Sequence, residues 1–205
     1  MIVGTGNHRY QAVPSWGAER NLGIASGVAT DSQDRVYVVD REPNPAIVVY
    51  DRDGHFIAAW GQDILALPHE IWIDAADRVY IADCGDHTLR IFSAGGELLQ
   101  TIGAPHAKGS DGQPFNQPTR VVRHPSGELM VSDGYGQCFL HRLSADGELL
   151  QTWGGPGSGP GQYTLPHNIF AAPDGRLLAV DREPNNRIQI LAPDGTFIEE
   201  WKGRP

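Results

Sequence analysis

Residues 26–61 read SGVATDSQDRVYVVDREPNPAIVVYDRDGHFIAAWG, a stretch that predicts four short strands in succession. GVATD and RVYVVD give the first two strands, and AIVVYD and HFIAAW give the last two. These runs are rich in Val, Ile, Tyr and Phe, which suit a pleated, half-buried surface. Asp53-Gly54 separates the last two runs and favours a tight hairpin, because both turn positions need positive φ. The stretch therefore indicates one four-stranded antiparallel unit.

The same unit recurs along the chain, and three landmarks keep one register. The aspartate that ends the second strand recurs at intervals of 43, 50 and 48 residues, at Asp40, Asp83, Asp133 and Asp181. The hairpin dipeptide recurs at intervals of 42, 51 and 48 residues, at Asp53-Gly54, Gly95-Gly96, Asp146-Gly147 and Asp194-Gly195. The residue that closes the fourth strand keeps those last intervals, at Trp60, Ile102, Trp153 and Trp201. A repeated four-stranded unit of this length is typical of a propeller blade.

The sequence thus predicts an all-β fold, a β-propeller made as one domain over residues 1–205. Four whole blades are expected at about 26–61, 69–103, 119–154 and 167–203. Residues 10–17 are expected to form the outer strand of a preceding blade, because Trp16-Gly17 lies 44 residues before Trp60-Gly61. Two arrangements fit this count, a four-bladed ring with a spare strand or part of a larger ring, and we favour the larger ring.

Composition narrows the classes of partner. The formal net charge of −9 argues against nucleic acid and against anionic membranes as partners. The sequence has no run of 18 apolar residues, so no membrane-spanning segment is expected. The N-terminus lacks a basic region followed by an apolar one, which predicts a cytoplasmic protein. Cys84 and Cys138 stand at non-equivalent positions of different repeats and are expected to be free thiols.

A histidine occupies the same short frame in two alternate blades. LPHEI carries His69 and LPHNI carries His167, whereas Thr119 stands at the matching place between them. The first strands of a propeller line its channel, so the two imidazoles are expected to project toward one end of it. Imidazoles from alternate blades of a six-bladed ring would form a trigonal set, the pattern of a catalytic zinc site. Alternatively, each Leu-Pro-His turn is a feature of the rim, with the imidazole bonded to a carbonyl.

The remaining histidines lack this frame and are expected at the surface: His8, His55, His87, His106, His124 and His141.

Two arginines and a tyrosine follow the second strands. Arg41 and Arg182 stand in the same pentapeptide, Asp-Arg-Glu-Pro-Asn, and Tyr135 stands in the equivalent turn of the third blade. An arginine fork suits a substrate carboxylate, and a tyrosine beside a metal and an arginine can act as a base. Alternatively, each arginine pairs with a carboxylate of a neighbouring blade. For the repeated aspartates we favour a structural role, capping the turns, because all four blades have one.

Taken together, several segments resemble one family. LPHEI, QPT, SDGYG, SGPGQYTLPHNI and VDREPNNRIQ look like peptidyl-α-hydroxyglycine α-amidating lyase and its bacterial NHL-repeat relatives. The resemblance runs from about Ser26 to Trp201, and it implies a six-bladed propeller. Its reaction cleaves the N–C bond of a C-terminal α-hydroxyglycine and gives a peptide amide and glyoxylate.

The resemblance also implies roles for individual residues. His69 and His167 match two of three zinc ligands, and Tyr135 matches the catalytic tyrosine. Arg41 and Arg182 match active-site arginines. The carbonyls of Val28 and Ile71 match backbone ligands of a structural calcium ion.

The chain also departs from this family. The third zinc histidine and the aspartate ligand of the calcium are expected from a later blade, beyond Pro205. Asn116 and Gly136 stand where the family has the cysteines of a disulfide near the tyrosine. The chain is therefore expected to be a fragment or a truncated relative that lacks about two blades and holds an incomplete zinc site.

Three functions remain open from the sequence. The first is a zinc-dependent carbon–nitrogen lyase acting on a small molecule or a peptide C-terminus. The second is a non-catalytic NHL-repeat propeller that serves as a scaffold for a protein or ligand. The third is a metal-dependent hydrolase or lactonase, whose usual channel carboxylates the first strands do not clearly offer. The sequence does not fix the oligomeric state.

Overall fold

The structure is a computed structural model that describes residues 2–203 of the chain. Its elements are eighteen β-strands, arranged as four four-stranded antiparallel sheets and one two-stranded hairpin. The described residues include no helix that is long and apolar enough to cross a membrane. The all-β fold predicted from the repeats is confirmed.

Each sheet is one blade, and its strands follow one another in chain order from the inner edge to the outer edge. Blade 1 contains β3 (Ala25–Thr30), β4 (Val36–Asp40), β5 (Ala46–Tyr50) and β6 (Phe56–Trp60). Blade 2 contains β7 (Pro68–Ile73), β8 (Val79–Asp83), β9 (Thr88–Phe92) and β10 (Leu98–Ile102). Blade 3 contains β11 (Arg120–Arg123), β12 (Leu129–Asp133), β13 (Phe139–Leu143) and β14 (Leu149–Gly154). Blade 4 contains β15 (Pro166–Ala171), β16 (Leu177–Asp181), β17 (Arg187–Leu191) and β18 (Phe197–Lys202).

Neighbouring blades pack face to face through apolar side chains. Between blades 1 and 2 the buried layer includes Tyr37 and Ile47 on one side and Ile81 and Phe92 on the other. Similar layers join blade 2 to blade 3 and blade 3 to blade 4. The first strands of successive blades contact one another, β3 with β7, β7 with β11 and β11 with β15. Equivalent residues of these first strands therefore come close together in space.

The closing residue of each fourth strand lies against the turn glycine of the next blade. Trp60 covers Gly96, and a β-carbon built on that glycine would overlap the indole ring. The same contact joins Ile102 to Gly147 and Trp153 to Gly195. These glycines have φ near +90°, which β-carbon-bearing residues rarely adopt. Two of the repeated landmarks, the residue that closes the fourth strand and the turn glycine of the next blade, thus contact each other between blades.

This contact predicts a large difference between two Gly→Ala substitutions. Gly96→Ala is expected to lower the free energy of unfolding by about 2–4 kcal/mol, from backbone strain and overlap with Trp60. Gly161→Ala is the matched control, because Gly161 also has positive φ (+71°) but no neighbour within 4 Å of the added carbon. It should cost about 1 kcal/mol. Equal urea-unfolding midpoints for the two variants would remove the inter-blade contact from the explanation.

Residues 10–17 do not form the predicted outer strand. β1 (Ile2–Thr5) and β2 (His8–Gln11) form an exposed hairpin, and turns begin at Pro14. The cause is local, since Pro14 has no backbone N–H to donate and the N–H of Trp16 donates to the carbonyl of Val13.

Trp16 nevertheless fills the place of a closing residue. Its ring centroid lies 5.2 Å from that of Tyr50, as Trp60 lies 5.0 Å from Phe92.

Candidate functional site

The repeated aspartates hold the segments that lead into the first strands. Each carboxylate accepts one or two backbone N–H groups from residues 16 or 17 positions earlier. Asp83 accepts from Ala66 and Leu67, and Asp181 accepts from Thr164 and Leu165, at 2.8 to 3.0 Å. The structural role predicted for these aspartates is confirmed. In blades 2 and 4 the segment so held is the Leu-Pro-His turn.

His69, Tyr135 and His167 meet at the start of the first strands. The hydroxyl oxygen of Tyr135 lies 3.0 Å from Nε2 of His69 and 3.0 Å from Nε2 of His167. The two imidazole centroids are 4.8 Å apart. His69 is only 4% exposed, and Tyr135 and His167 are partly buried. The alternate blades therefore bring the two imidazoles together, with a phenol between them.

One carbonyl sets the direction of the hydrogen bonds in this group. Nδ1 of His69 lies 2.7 Å from the carbonyl oxygen of Thr119, and a carbonyl can only accept. In a neutral ring this leaves Nε2 of His69 as the acceptor, so the hydroxyl of Tyr135 donates to it. The hydroxyl oxygen then accepts from Nε2 of His167. The carbonyl of Thr119 thereby orients the ring of His69 in the way that supports a metal-ligating histidine.

Both histidines are held in the neutral form. Burial lowers the pKa of His69 to about 4, and the positive charges of Arg41 and Arg182 act in the same direction. Burial also lowers the pKa of His167, again with help from Arg182 and Arg41. Neutral imidazole is the form that binds a metal. The ring of His69 is therefore available as a metal ligand at neutral pH, and that of His167 becomes available once its proton moves from Nε2 to Nδ1.

The low pKa of His69 predicts how stability depends on pH. An unfolded histidine takes up its proton near pH 6.5, whereas the folded one resists until about pH 4. The contribution to stability is complete above pH 6.5 and is lost as the pH falls from 6.5 to 4, by up to about 3 kcal/mol. Urea unfolding of metal-free protein should therefore show a shallower acid dependence for His69→Gln than for wild type. If the free energy of unfolding fell equally with pH in both proteins, burial would not be lowering the pKa of His69.

The two predicted arginines lie in equivalent turns beside the histidines. The backbone N–H of Arg41 donates to Ile24 and that of Arg182 donates to Leu165, at 2.8 and 3.0 Å. The guanidinium of Arg41 lies 3.8 Å from the sulfur of Cys84, and its Nε is buried without a described partner. Arg182 is 46% exposed at its side chain and pairs with the adjacent Glu183 at 3.3 Å.

Among the described residues, neither arginine forms an ion pair with a carboxylate of a neighbouring blade. The alternative role, an ion pair between blades, is therefore not observed. The guanidinium groups are therefore not committed to a carboxylate of another blade. Both cations lie close enough to lower the pKa values of the two histidines.

The loop that carries Tyr135 is held by the segment before blade 3. The N–H of Gly136 donates to the carbonyl of Asn116 at 3.0 Å, and the side-chain amide of Asn116 donates back to Gly136 at 3.1 Å. The N–H of Tyr135 reaches the carbonyl of Gln117 at 3.4 Å. Hydrogen bonds thus tether the tyrosine loop at the two positions where the resemblance implied cysteines.

The sequence did not reveal an ion pair below the histidines. Glu70 and Arg120 follow His69 and Thr119, and their side chains form a close ion pair in the channel. Burial raises the pKa of Glu70, against the opposing charge of Arg120. Strand register alone could have placed these two residues on facing strands. It could not have shown that the side chains turn toward each other.

The predicted calcium ligands Val28 and Ile71 take equivalent positions in β3 and β7, paired with Val38 and Ile81. Val28 is exposed and Ile71 is buried. Residues 2–203 contain no group of three or more His, Cys, Asp or Glu side chains placed to hold a metal ion. The roles of Val28, Ile71, His69 and His167 as metal ligands stay predictions.

Two histidines expected at the surface are buried. Nε2 of His141 donates to the carboxylate of Asp133 at 3.1 Å, and its Nδ1 lies 3.1 Å from the hydroxyl oxygen of Thr152. His124 lies 2.9 Å from the carbonyl of Gly175 in the next blade. Polar partners inside the blades satisfy both rings, which is why burial is tolerated. Cys84 and Cys138 are free, as predicted.

Comparison with known proteins places the chain among propeller relatives. No model of a known protein family matches it. Human NHL repeat-containing protein 3 is 33% identical over 188 residues, which cover 85% of this chain and 54% of that protein. Peptidyl-α-hydroxyglycine α-amidating lyase 1 of Drosophila melanogaster is 32% identical over 173 residues, 78% of this chain and 30% of that protein. The chain is a homologue of NHL-repeat proteins and of amidating lyases.

The chain spans about half the length of the NHL-repeat proteins that it matches, and a smaller share of the lyase. A solved structure described as a streptogramin B lyase superposes with a TM-score of 0.69 at 18% identity, over 89% of this chain and 57% of that one. At that identity the likeness shows the propeller fold alone.

Proposed function

We propose that this chain carries the site of a zinc-dependent lyase that cleaves the N–C bond of a peptidyl-α-hydroxyglycine-like carbinolamide. The products would be an amide and glyoxylate, and the substrate would be a small molecule or the C-terminus of a peptide. One observation carries the proposal. The hydroxyl of Tyr135 lies 3.0 Å from Nε2 of two neutral imidazoles, with two arginines close by.

The residues present fit a metal in part. His69 and His167 would hold it: the carbonyl of Thr119 leaves Nε2 of His69 free of a proton, and the neutral ring of His167 would move its proton from Nε2 to Nδ1. They would supply two of the three protein ligands usual for catalytic zinc. Bound zinc would polarise the substrate hydroxyl and lower its pKa. A further ligand is not found among the described side chains.

The chain's own groups have clear tasks in this reaction. Arg41 and Arg182 would bind the substrate carboxylate through charge-assisted hydrogen bonds. As the phenolate, with its own proton given up to solvent beforehand, Tyr135 would accept the proton of the carbinol hydroxyl, so that the carbinol C–O bond becomes the aldehyde of glyoxylate. The electron pair of the broken C–N bond goes to the amide nitrogen. The proton held by Tyr135 then completes the amide.

Calcium bound by the carbonyls of Val28 and Ile71 belongs to the same proposal. It would tie β3 to β7 in the channel, below the level of His69. Oxygen ligands of this kind suit calcium rather than zinc.

Release of benzamide and glyoxylate from α-hydroxyhippurate tests the proposal. Purified protein with zinc is expected to release both products faster than zinc alone, and chelation should reduce the rate to that background. Product amounts must be equal, because one bond is cleaved. A rate no faster than zinc alone would overturn the lyase proposal.

The second candidate is a propeller that binds a protein or ligand without catalysis. Two observations favour it. The described residues do not include a complete set of metal ligands. A relative that is 33% identical to the chain is named only for its repeats. A metal-free protein with no turnover of α-hydroxyhippurate would support this function.

A further inference from the structure

A cavity of about 570 Å³ lies at the opposite end of the first strands from the histidines. Blades 2, 3 and 4 form its walls, at the turns that follow β7, β11 and β15. His69 begins β7 and Asp74 follows its end, so the cavity lies roughly 16 Å from the candidate site at about 3.3 Å per residue. Its volume is in the range of small-molecule sites.

The blades that form this cavity differ in one repeated motif. The residue after the first strand is Asp31 in blade 1 and Asp74 in blade 2. Each of these carboxylates binds the arginine four residues later and the tyrosine six residues later. In blade 3 the same position holds His124, whose ring bonds to Ser126 and Gly175 instead. Blade 3 therefore has neither the carboxylate nor the arginine of the motif, since Glu128 stands four residues after His124. Arg123, the last residue of β11, finds no carboxylate at this position.

Arg123 is left without a hydrogen-bond acceptor. The nearest carboxylate oxygen is that of Asp74, 3.7 Å away. Asp74 is already occupied, because it accepts from Ala76 and Tyr80 and from the backbone and side chain of Arg78. No described residue accepts a hydrogen bond from the guanidinium of Arg123, which is 31% exposed. Two arginines thus share one carboxylate, which leaves one positive charge unbalanced at the cavity wall.

Two aromatic side chains form another part of the cavity wall. Trp72 and Phe170 occupy the same position in β7 and β15, where the equivalent residues of the other blades are Ala29 and Val122. Phe170 is 54% exposed, unusual for a phenylalanine on a first strand. We propose that this cavity binds a small aromatic carboxylate, with its ring against Trp72 and Phe170 and its carboxylate on Arg123. The inference does not depend on the lyase proposal.

Binding of 2-naphthoate, compared with its uncharged analogue 2-naphthamide, tests this site by isothermal titration calorimetry. 2-Naphthoate is expected to bind at least about tenfold more tightly than the amide, because a hydrogen bond to a charged group is lost with the amide. Arg123→Gln should reduce its affinity to that of the amide, and Phe170→Ala should weaken both ligands. Arg123→Lys keeps the charge and should retain an intermediate affinity.

Controls separate this cavity from the other arginines. Arg176→Gln, in an exposed ion pair of blade 4, and Arg182→Gln, beside the histidines, should both bind 2-naphthoate as wild type does. Thermal melts of each variant establish that it is folded. The proposal is overturned if 2-naphthoate binds no better than the amide, if folded Arg123→Gln binds as wild type does, or if Arg182→Gln alone abolishes binding.

Discussion

Tyr135→Phe is expected to lower kcat for amide release from α-hydroxyhippurate by about 10²- to 10⁴-fold, with KM changed only a few-fold. The hydroxyl is the atom between the two imidazoles, and its removal takes away the proposed proton acceptor. The phenyl ring would still pack against His69, whose centroid lies 5.0 Å away. The arginines proposed to bind the substrate carboxylate are untouched, so substrate binding should persist.

Tyr163→Phe is the matched control for this substitution. Tyr163 is fully buried and its hydroxyl has no hydrogen-bond partner among the described residues. Removal of that hydroxyl should leave turnover unchanged and stability unchanged or slightly higher. Steady-state measurement of kcat and KM for both variants tests whether the hydroxyl of Tyr135 takes part in the reaction. Wild-type kcat in Tyr135→Phe would exclude the tyrosine from the mechanism, even if the protein proves to be a lyase.

The fold was predictable because its determinants are local and periodic. The interval between Asp40, Asp83, Asp133 and Asp181 marks one blade, and each aspartate bonds within its own blade. The glycine at the second position of each turn dipeptide has φ near +90°, so its spacing reveals the hairpins. The first position, Asp53 in blade 1, does not have the positive φ that was expected of both. The convergence of His69 and His167 followed from the same periodicity. Equivalent positions on first strands, even those of alternate blades, approach each other around a channel.

What the sequence could not show is which way individual side chains turn, both between blades and within one blade. Nothing local indicates that Arg120 turns toward Glu70 or that His141 finds Asp133 inside blade 3. The absence of a strand at residues 10–17 had a local signal in Pro14, which the landmark Trp16-Gly17 outweighed in the prediction. Trp16 keeps the packing of a closing residue without the strand, because its contact with Tyr50 needs only the side chain.

His69→Ala and His167→Ala are each expected to weaken zinc binding by at least about 100-fold. Loss of a partner that only orients a ligand costs about 10–100-fold in affinity, and loss of a ligand itself should cost at least the upper end of that range. The two rings are the only pair of imidazoles that the described structure brings to 4.8 Å. Neither alone can supply more than one nitrogen to the metal.

Calorimetric zinc titrations of metal-free protein measure the loss, with His55→Ala as the matched control. His55 is an exposed histidine of a hairpin turn, paired only with Asp51, and its removal should leave zinc affinity unchanged. The two site variants should not be equivalent in every respect. The carbonyl of Thr119 fixes the ring of His69, whereas the ring of His167 is positioned through Tyr135. Tyr135→Phe frees Nε2 of both rings from the hydroxyl and should leave zinc affinity unchanged or slightly higher. Wild-type affinity in either alanine variant would contradict a shared metal.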